Sequence, residues 1–181
     1  MGAFGKLPDS LVISGIEYPI KTDFRLWIRL PELDDLRALF IDREPSFYGY
    51  FSKESIAEIV SFYTGGIGQG KDEKEQAEAN AETHDAGPAV VDFREDEAII
   101  YASFLQAYGI DLYEVDYLHW WKFKALLAGI PESTTLGQIM QLRSYDGDDK
   151  EMKKLRDKVA LKRPLSAEEA QAGDLFEEVF G

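Results

Sequence analysis

Residues Asp96 to Pro131, reading DEAIIYASFLQAYGIDLYEVDYLHWWKFKALLAGIP, form the densest apolar and aromatic block of the chain. A polar acidic segment precedes it and a charged helical pattern follows. Within the block two helical patterns meet at a Tyr-Gly-Ile-Asp-Leu corner, and Trp120 and Trp121 sit side by side. In the second pattern Leu118, Trp121 and Ala125 line one face, while Trp120, Phe123 and Leu127 line another. A helix that is apolar on nearly every side must be enclosed by neighbours. The block therefore predicts the core of a small, mainly α domain of about five to six helices.

The elements around it follow from local signals. Leu11 to Ile20 is rich in β-branched residues and interrupted by Ser14-Gly15, which predicts an N-terminal β-hairpin over about 11–20 with Gly15 at positive φ. Pro19 removes a ladder donor and belongs at an edge. Thr22-Asp23 caps a helix from Phe24 to Leu30, and Pro31 either kinks it or opens a second piece carrying Leu33, Leu36 and Phe40. Residues 43–51 read as a loop. Ser52 then caps a helix with Ile56, Ile59, Val60 and Tyr63 at i, i+3, i+4, i+7, ended by Gly65-Gly66. Residues of about 68–87 lack any aromatic or large aliphatic side chain, so burial cannot repay their ordering, and they read as a flexible acidic loop.

Further along, Pro88 to Val91 reads as a short strand, and Asp92 and Glu95 have capping-box spacing. The next helix buries Ile100, Phe104 and Tyr108, with Gly109 as its C-cap. Asp116 caps the aromatic helix. Thr134 to Ser144 turns Leu136, Ile139 and Met140 inward. Asp149 caps a last helix with a narrow stripe of Met152, Leu155 and Val159, and seven basic residues lie between Lys150 and Arg163. Residues 1–164 thus read as one helical domain. The remaining 165–181 form an acidic tail with five acids and no base.

Charge and composition exclude several function classes. A formal charge of −14 opposes nucleic-acid and anionic-membrane binding, which need clustered Lys and Arg, and favours a basic or apolar partner. With no cysteine, disulfides and thiolate metal sites are excluded. The start lacks a signal-peptide pattern and no apolar run reaches bilayer length, so the expectation is a soluble protein of the cytoplasm.

No set of residues assembles an acid, a base and a nucleophile, and the expectation is a protein that is not an enzyme, with no cofactor and no metal. His84 has no local ligand partner. His119 reads as a core or interface histidine with one hydrogen bond. Asp146-Gly-Asp-Asp149 fails the calcium-loop register and reads as a turn followed by an N-cap. Gly65 to Gly70 has neither the strand nor the helix that phosphate cradling needs. What remains is surplus apolar surface. Trp120, Trp121 and Phe123 are first of all core, and part of their surface is a candidate for partner contact. Leu175, Phe176, Val179 and Phe180 recur at i, i+1, i+4, i+5, which suits either an amphipathic peptide seated in a groove or a frayed terminus.

The run Tyr101-Ala-Ser-Phe-Leu-Gln-Ala-Tyr-Gly-Ile-Asp-Leu112, then Leu118-His-Trp-Trp-Lys-Phe-Lys-Ala-Leu-Leu127, Gln138-Ile-Met and Arg143-Ser, resembles the bacteriophage gene-product-fifteen family. The opening LPDSLVISGIEYPIKTDFR fits the same family, and the resemblance covers most of residues 7 to 160. Its members come from the tail-gene region of phages and prophages of Gram-positive bacteria. The resemblance implies a tail assembly chaperone of a long-tailed phage that shields the tape-measure protein, helps recruit the tail-tube protein and leaves the finished particle. The alternative is a structural virion protein, such as a tail or head–tail completion subunit. Partner contacts are expected at Trp120, Trp121, Phe123, Leu175, Phe176 and Phe180, with self-association as a further expectation.

Overall fold

The computed structural model describes residues 5–33, 35–41, 53–65 and 90–162. Among them are six α-helices and an N-terminal antiparallel two-stranded hairpin, a mainly α fold as the sequence predicts. They fall into two compact units. Described residues of 5–65 and 117–125 make the first, and 90–116 and 126–162 the second.

The first unit opens on strands β1 (Ser10–Ile13) and β2 (Ile16–Pro19), paired from Ser10↔Pro19 to Ile13↔Ile16. Both turn residues have positive φ, Ser14 at 50° and Gly15 at 78°, the two-residue geometry that matches strand twist. Only Gly15 was anticipated there. Ser14 is held by Glu54, whose carboxylate accepts its N–H and its hydroxyl, each at 2.7 Å. Two charge-assisted bonds offset a left-handed conformation that costs a non-glycine residue about 1 kcal/mol.

Helix α1 spans only Phe24–Trp27, capped by Asp23, whose Oδ1 accepts from Arg25 N at 3.0 Å. The expected run to Leu30 is broken into 3-10 turns at Leu30–Glu32 and Leu36–Leu39. Pro31 enters the first turn of one, where its missing N–H does no harm. Phe40 does not continue a helix: it forms a bridge with Ile20 and is buried. Helix α2 (Lys53–Thr64) buries Ser55, Ile59 and Phe62, a seam rotated from the expected Ile56, Ile59, Val60 and Tyr63. The core of this unit gathers Leu11, Ile13, Trp27, Leu39, Phe62 and Trp120.

In the second unit α3 (Glu97–Tyr108) buries Ile100, Ser103 and Phe104, and Gly109 closes it at φ 65°. The capping box is replaced by a turn. Asp92 Oδ1 accepts from Arg94 N and Glu95 N, and the return bond to Asp92 N comes from Asp96 Oδ2, not from Glu95. Val90 and Val91 lie outside any strand. Helix α4 (Trp120–Ala128) contributes residues to both units. Helix α5 (Thr135–Arg143) is capped by Thr134 and packs on α3, where Ser103 Oγ accepts from Leu136 N at 3.2 Å. Helix α6 (Lys150–Val159) is capped by Asp149, whose Oδ1 accepts from Glu151 N and Met152 N. It buries no residue fully, and its expected inward Leu155 is 43% exposed.

The buried polar centre of the second unit is an ion pair. Arg143 donates to Asp96 through Nη1 at 2.5 Å and Nη2 at 3.0 Å, and both side chains are nearly inaccessible. Two further donors, Nε and the second Nη1 N–H, reach Val159 O at 2.7 Å and Val90 O at 3.0 Å. One guanidinium thereby ties the start of α3, the end of α6 and the Val90 segment to α5. No helix among the described residues is long and apolar enough to cross a membrane. The expected loop over about 68–87 and the tail 165–181 lie outside the described residues, as do residues 43–51 and Ser52.

Candidate functional site

Four side chains at the start of α4 fasten the first unit. His119 stands at the N-cap position. Its Nδ1 accepts from Trp121 N at 3.0 Å, so the ring proton resides on Nε2 and is donated to Pro8 O at 3.0 Å. Asp116 was expected to hold the cap; the helix begins at Trp120, one residue after the histidine. The segment before it is paired like a strand, with Phe24 N donating to Leu118 O and Trp120 N donating to Thr22 O. Those two bonds set where α4 starts. His119 makes two hydrogen bonds rather than one. Burial pulls its pKa down, Lys122 adds to that, and the Pro8 contact and Asp9 oppose it.

Trp120, Trp121 and Lys124 close on the last turn of α2. The indoles donate from Nε1 to Tyr63 O at 2.9 Å and Phe62 O at 2.8 Å. Lys124 Nζ donates to the carbonyls of Tyr63, Thr64 and Gly65 at 2.8, 2.7 and 2.7 Å. These are groups that a helix C-terminus leaves without intrahelical partners, at the negative end of its dipole. The ammonium also lies 5.6 Å from the Trp120 ring. Burial lowers the Lys124 pKa to about 8, which still leaves the ammonium protonated at neutral pH. Five donor bonds therefore replace the water that would solvate the end of α2.

The aromatic faces are consumed in the same way. Trp120 stacks on Tyr63 at 5.2 Å and on Phe123 at 5.9 Å, and Phe123 stacks on Phe24 at 4.7 Å. Trp120 and Phe123 are each 1% exposed, so in this fold neither has side-chain surface for a partner. Their apolar area is spent on Tyr63 and Phe24, which the sequence pattern did not bring to this helix. Trp121 is half-buried against Phe62 at 5.4 Å. Leu175, Phe176 and Phe180 lie outside the described residues.

Among the described residues the exposed large apolar side chains lie elsewhere. In the first unit they are Val12 and Ile16 on the hairpin, Ile41 beside Pro19, and Tyr117, whose hydroxyl bonds Thr22 Oγ1 at 2.6 Å. In the second unit they are Leu105, Tyr113 and Leu155. A recess of about 220 Å³ in the second unit is lined by Val90, Ile130, Gly137 and Met140, with Glu132 its only titratable group. Among the described residues no cluster of His, Asp and Glu is placed to hold a metal ion.

Lys124 and the Arg143–Asp96 pair escaped sequence reasoning. Lys124 carried a faint signal, one of two lysines on a helix whose other residues are all apolar. The sequence model of a family described as "Bacteriophage Gp15 protein" matches residues 5–164. No curated protein and no solved structure matches the chain.

Proposed function

The chain belongs to the bacteriophage Gp15 family, and from that premise we propose that it is a non-enzymatic tail assembly chaperone. In this reading it binds and shields the tape-measure protein in the host cytoplasm, helps recruit tail-tube subunits, and is left behind by the mature particle. The observation that carries the reading is the family match over most of the chain. Physical support comes from the combination of a −14 charge with exposed Val12, Ile16, Ile41 and Tyr113. A strongly charged protein stays soluble while its apolar side chains cover those of a long helical client.

Quantitative mass spectrometry of purified particles separates this reading from its rival. The chaperone reading expects the protein in infected or induced cells and not in finished particles. Recovery in stoichiometric amount with the tail would establish a structural virion protein instead.

A further inference from the structure

The second unit carries two exposed surfaces of opposite character. On α3, Glu97, Tyr101 and Leu105 follow one another at i, i+4, i+8, and Tyr113 folds back onto the first two. The two tyrosine rings lie 4.9 Å apart at 47°. Tyr113 OH donates to Glu97 Oε1 at 2.9 Å, and Tyr101 OH donates to Asp111 Oδ2 at 3.2 Å. Those bonds raise both phenol pKa values, so the hydroxyls stay protonated. Tyr113 is 63% exposed, the highest value among the exposed large apolar side chains, and Leu105 is 43% exposed. Two rigid aromatics bordered by carboxylates make a seat for cations carried on an apolar stem.

On α6, Lys150, Lys154 and Lys158 are exposed and four residues apart, a ridge with about 6 Å between successive lysines. Leu155 stands beside that ridge with 43% of its surface exposed. Lys154 is engaged only in an exposed pair with Glu151, of the kind that contributes little and exchanges readily. Three lysines flanking an exposed leucine, on an otherwise acidic protein, are complementary in charge to the carboxylate-bordered tyrosines.

Both surfaces belong to one unit, and Lys162 N donates to Glu95 Oε2 at 3.0 Å, which brings the end of α6 beside the start of α3. We propose that two copies of the chain pair about a two-fold axis, the α6 lysine ridge of each seating on the Tyr101–Tyr113 surface of the other. A two-fold axis makes both contacts at once, since what one copy offers the other receives. The net charge opposes pairing at long range. At physiological salt that repulsion is screened beyond about 8 Å, and the local contacts decide. This pairing does not depend on which client the protein shields.

Sedimentation equilibrium of the full chain tests it. The native protein forms a concentration-dependent dimer, and Tyr113→Ala, which leaves charge untouched, weakens the dimer about tenfold or more. Lys154→Glu with Lys158→Glu gives a monomer, and so does Glu97→Lys with Glu114→Lys, Glu114 being a further carboxylate whose charge acts on Tyr101. Mixing the two variants restores a dimer, because each then offers the sign that the other lacks. Both variants remain net negative, so bulk charge cannot cause that rescue. A native protein that stays monomeric overturns the proposal, as does a dimer that survives in either charge variant alone, or an assembly larger than a dimer.

Discussion

The Trp121 indole lies where a side chain at Gly65 would have to go. A Cβ at Gly65 would stand 2.8 Å from Trp121 Cζ2 and 2.8 Å from the Ser61 carbonyl oxygen. The end of α2 and the start of α4 are thus in contact at a position that only glycine fits. Gly65→Ala is expected to destabilise the protein by about 1–3 kcal/mol, the usual cost of overpacking. The measurement is a lowered urea midpoint with unchanged denaturant slope.

Lys124 is expected to act as a C-cap for α2 supplied by another helix. Lys124→Met keeps the apolar stem and removes the donors from three carbonyls. The loss is about 1 kcal/mol, because Tyr63 O keeps the Trp120 indole as a donor and the Thr64 carbonyl lies at an exposed position. Hydrogen exchange should show the loss first in the last turn of α2.

His119 makes stability depend on pH. Its folded pKa is lowered, so its contribution is complete above the unfolded value of 6.5. As the pH falls below that value the unfolded chain takes up a proton that the folded ring refuses. Stability then declines until the folded pKa is passed. The proton would have to enter at Nδ1, against the Trp121 N–H that it already accepts. His119→Asn keeps an acceptor near Nδ1 and cannot titrate. The native-minus-variant difference in unfolding free energy is therefore expected to shrink as the pH drops from 7 toward 5. His119→Gln reaches Pro8 instead and is expected to lose the cap, fraying the first turn of α4.

The Arg143–Asp96 pair gives the largest single-site effect. Removing either partner leaves a buried charge uncompensated, and Arg143→Ala is expected to cost about 3–5 kcal/mol. Asp96→Asn with Arg143→Met should cost less than the sum of the single changes. Equality of the double change with that sum, in a thermal or urea mutant cycle, would show that the two groups act independently.

Periodicity and capping chemistry explain what was legible beforehand. The hairpin turn at Ser14-Gly15, the caps at Asp23 and Asp149, and the αL stop at Gly109 each depend on a few adjacent residues. The family signature was legible for the same reason, being contiguous. What stayed hidden depends on residues far apart in the chain. The start of α4 is set by strand-like pairing of 22–24 with 118–120, which moved its cap from Asp116 to His119. Trp120 and Phe123 looked available because their partners Tyr63 and Phe24 lie 57 and 99 positions away. Leu155 looked inward from its spacing, but α6 packs on α5 with Met152 and Val159 half-buried and Leu155 left exposed.

Co-expression with the tape-measure protein of the same phage tests the functional account most directly. If the chain is a tail assembly chaperone, the tape-measure protein stays soluble only in its presence, and the two elute together on size exclusion. A tape-measure protein that is equally soluble without the chain, while the chain elutes alone, would contradict the account.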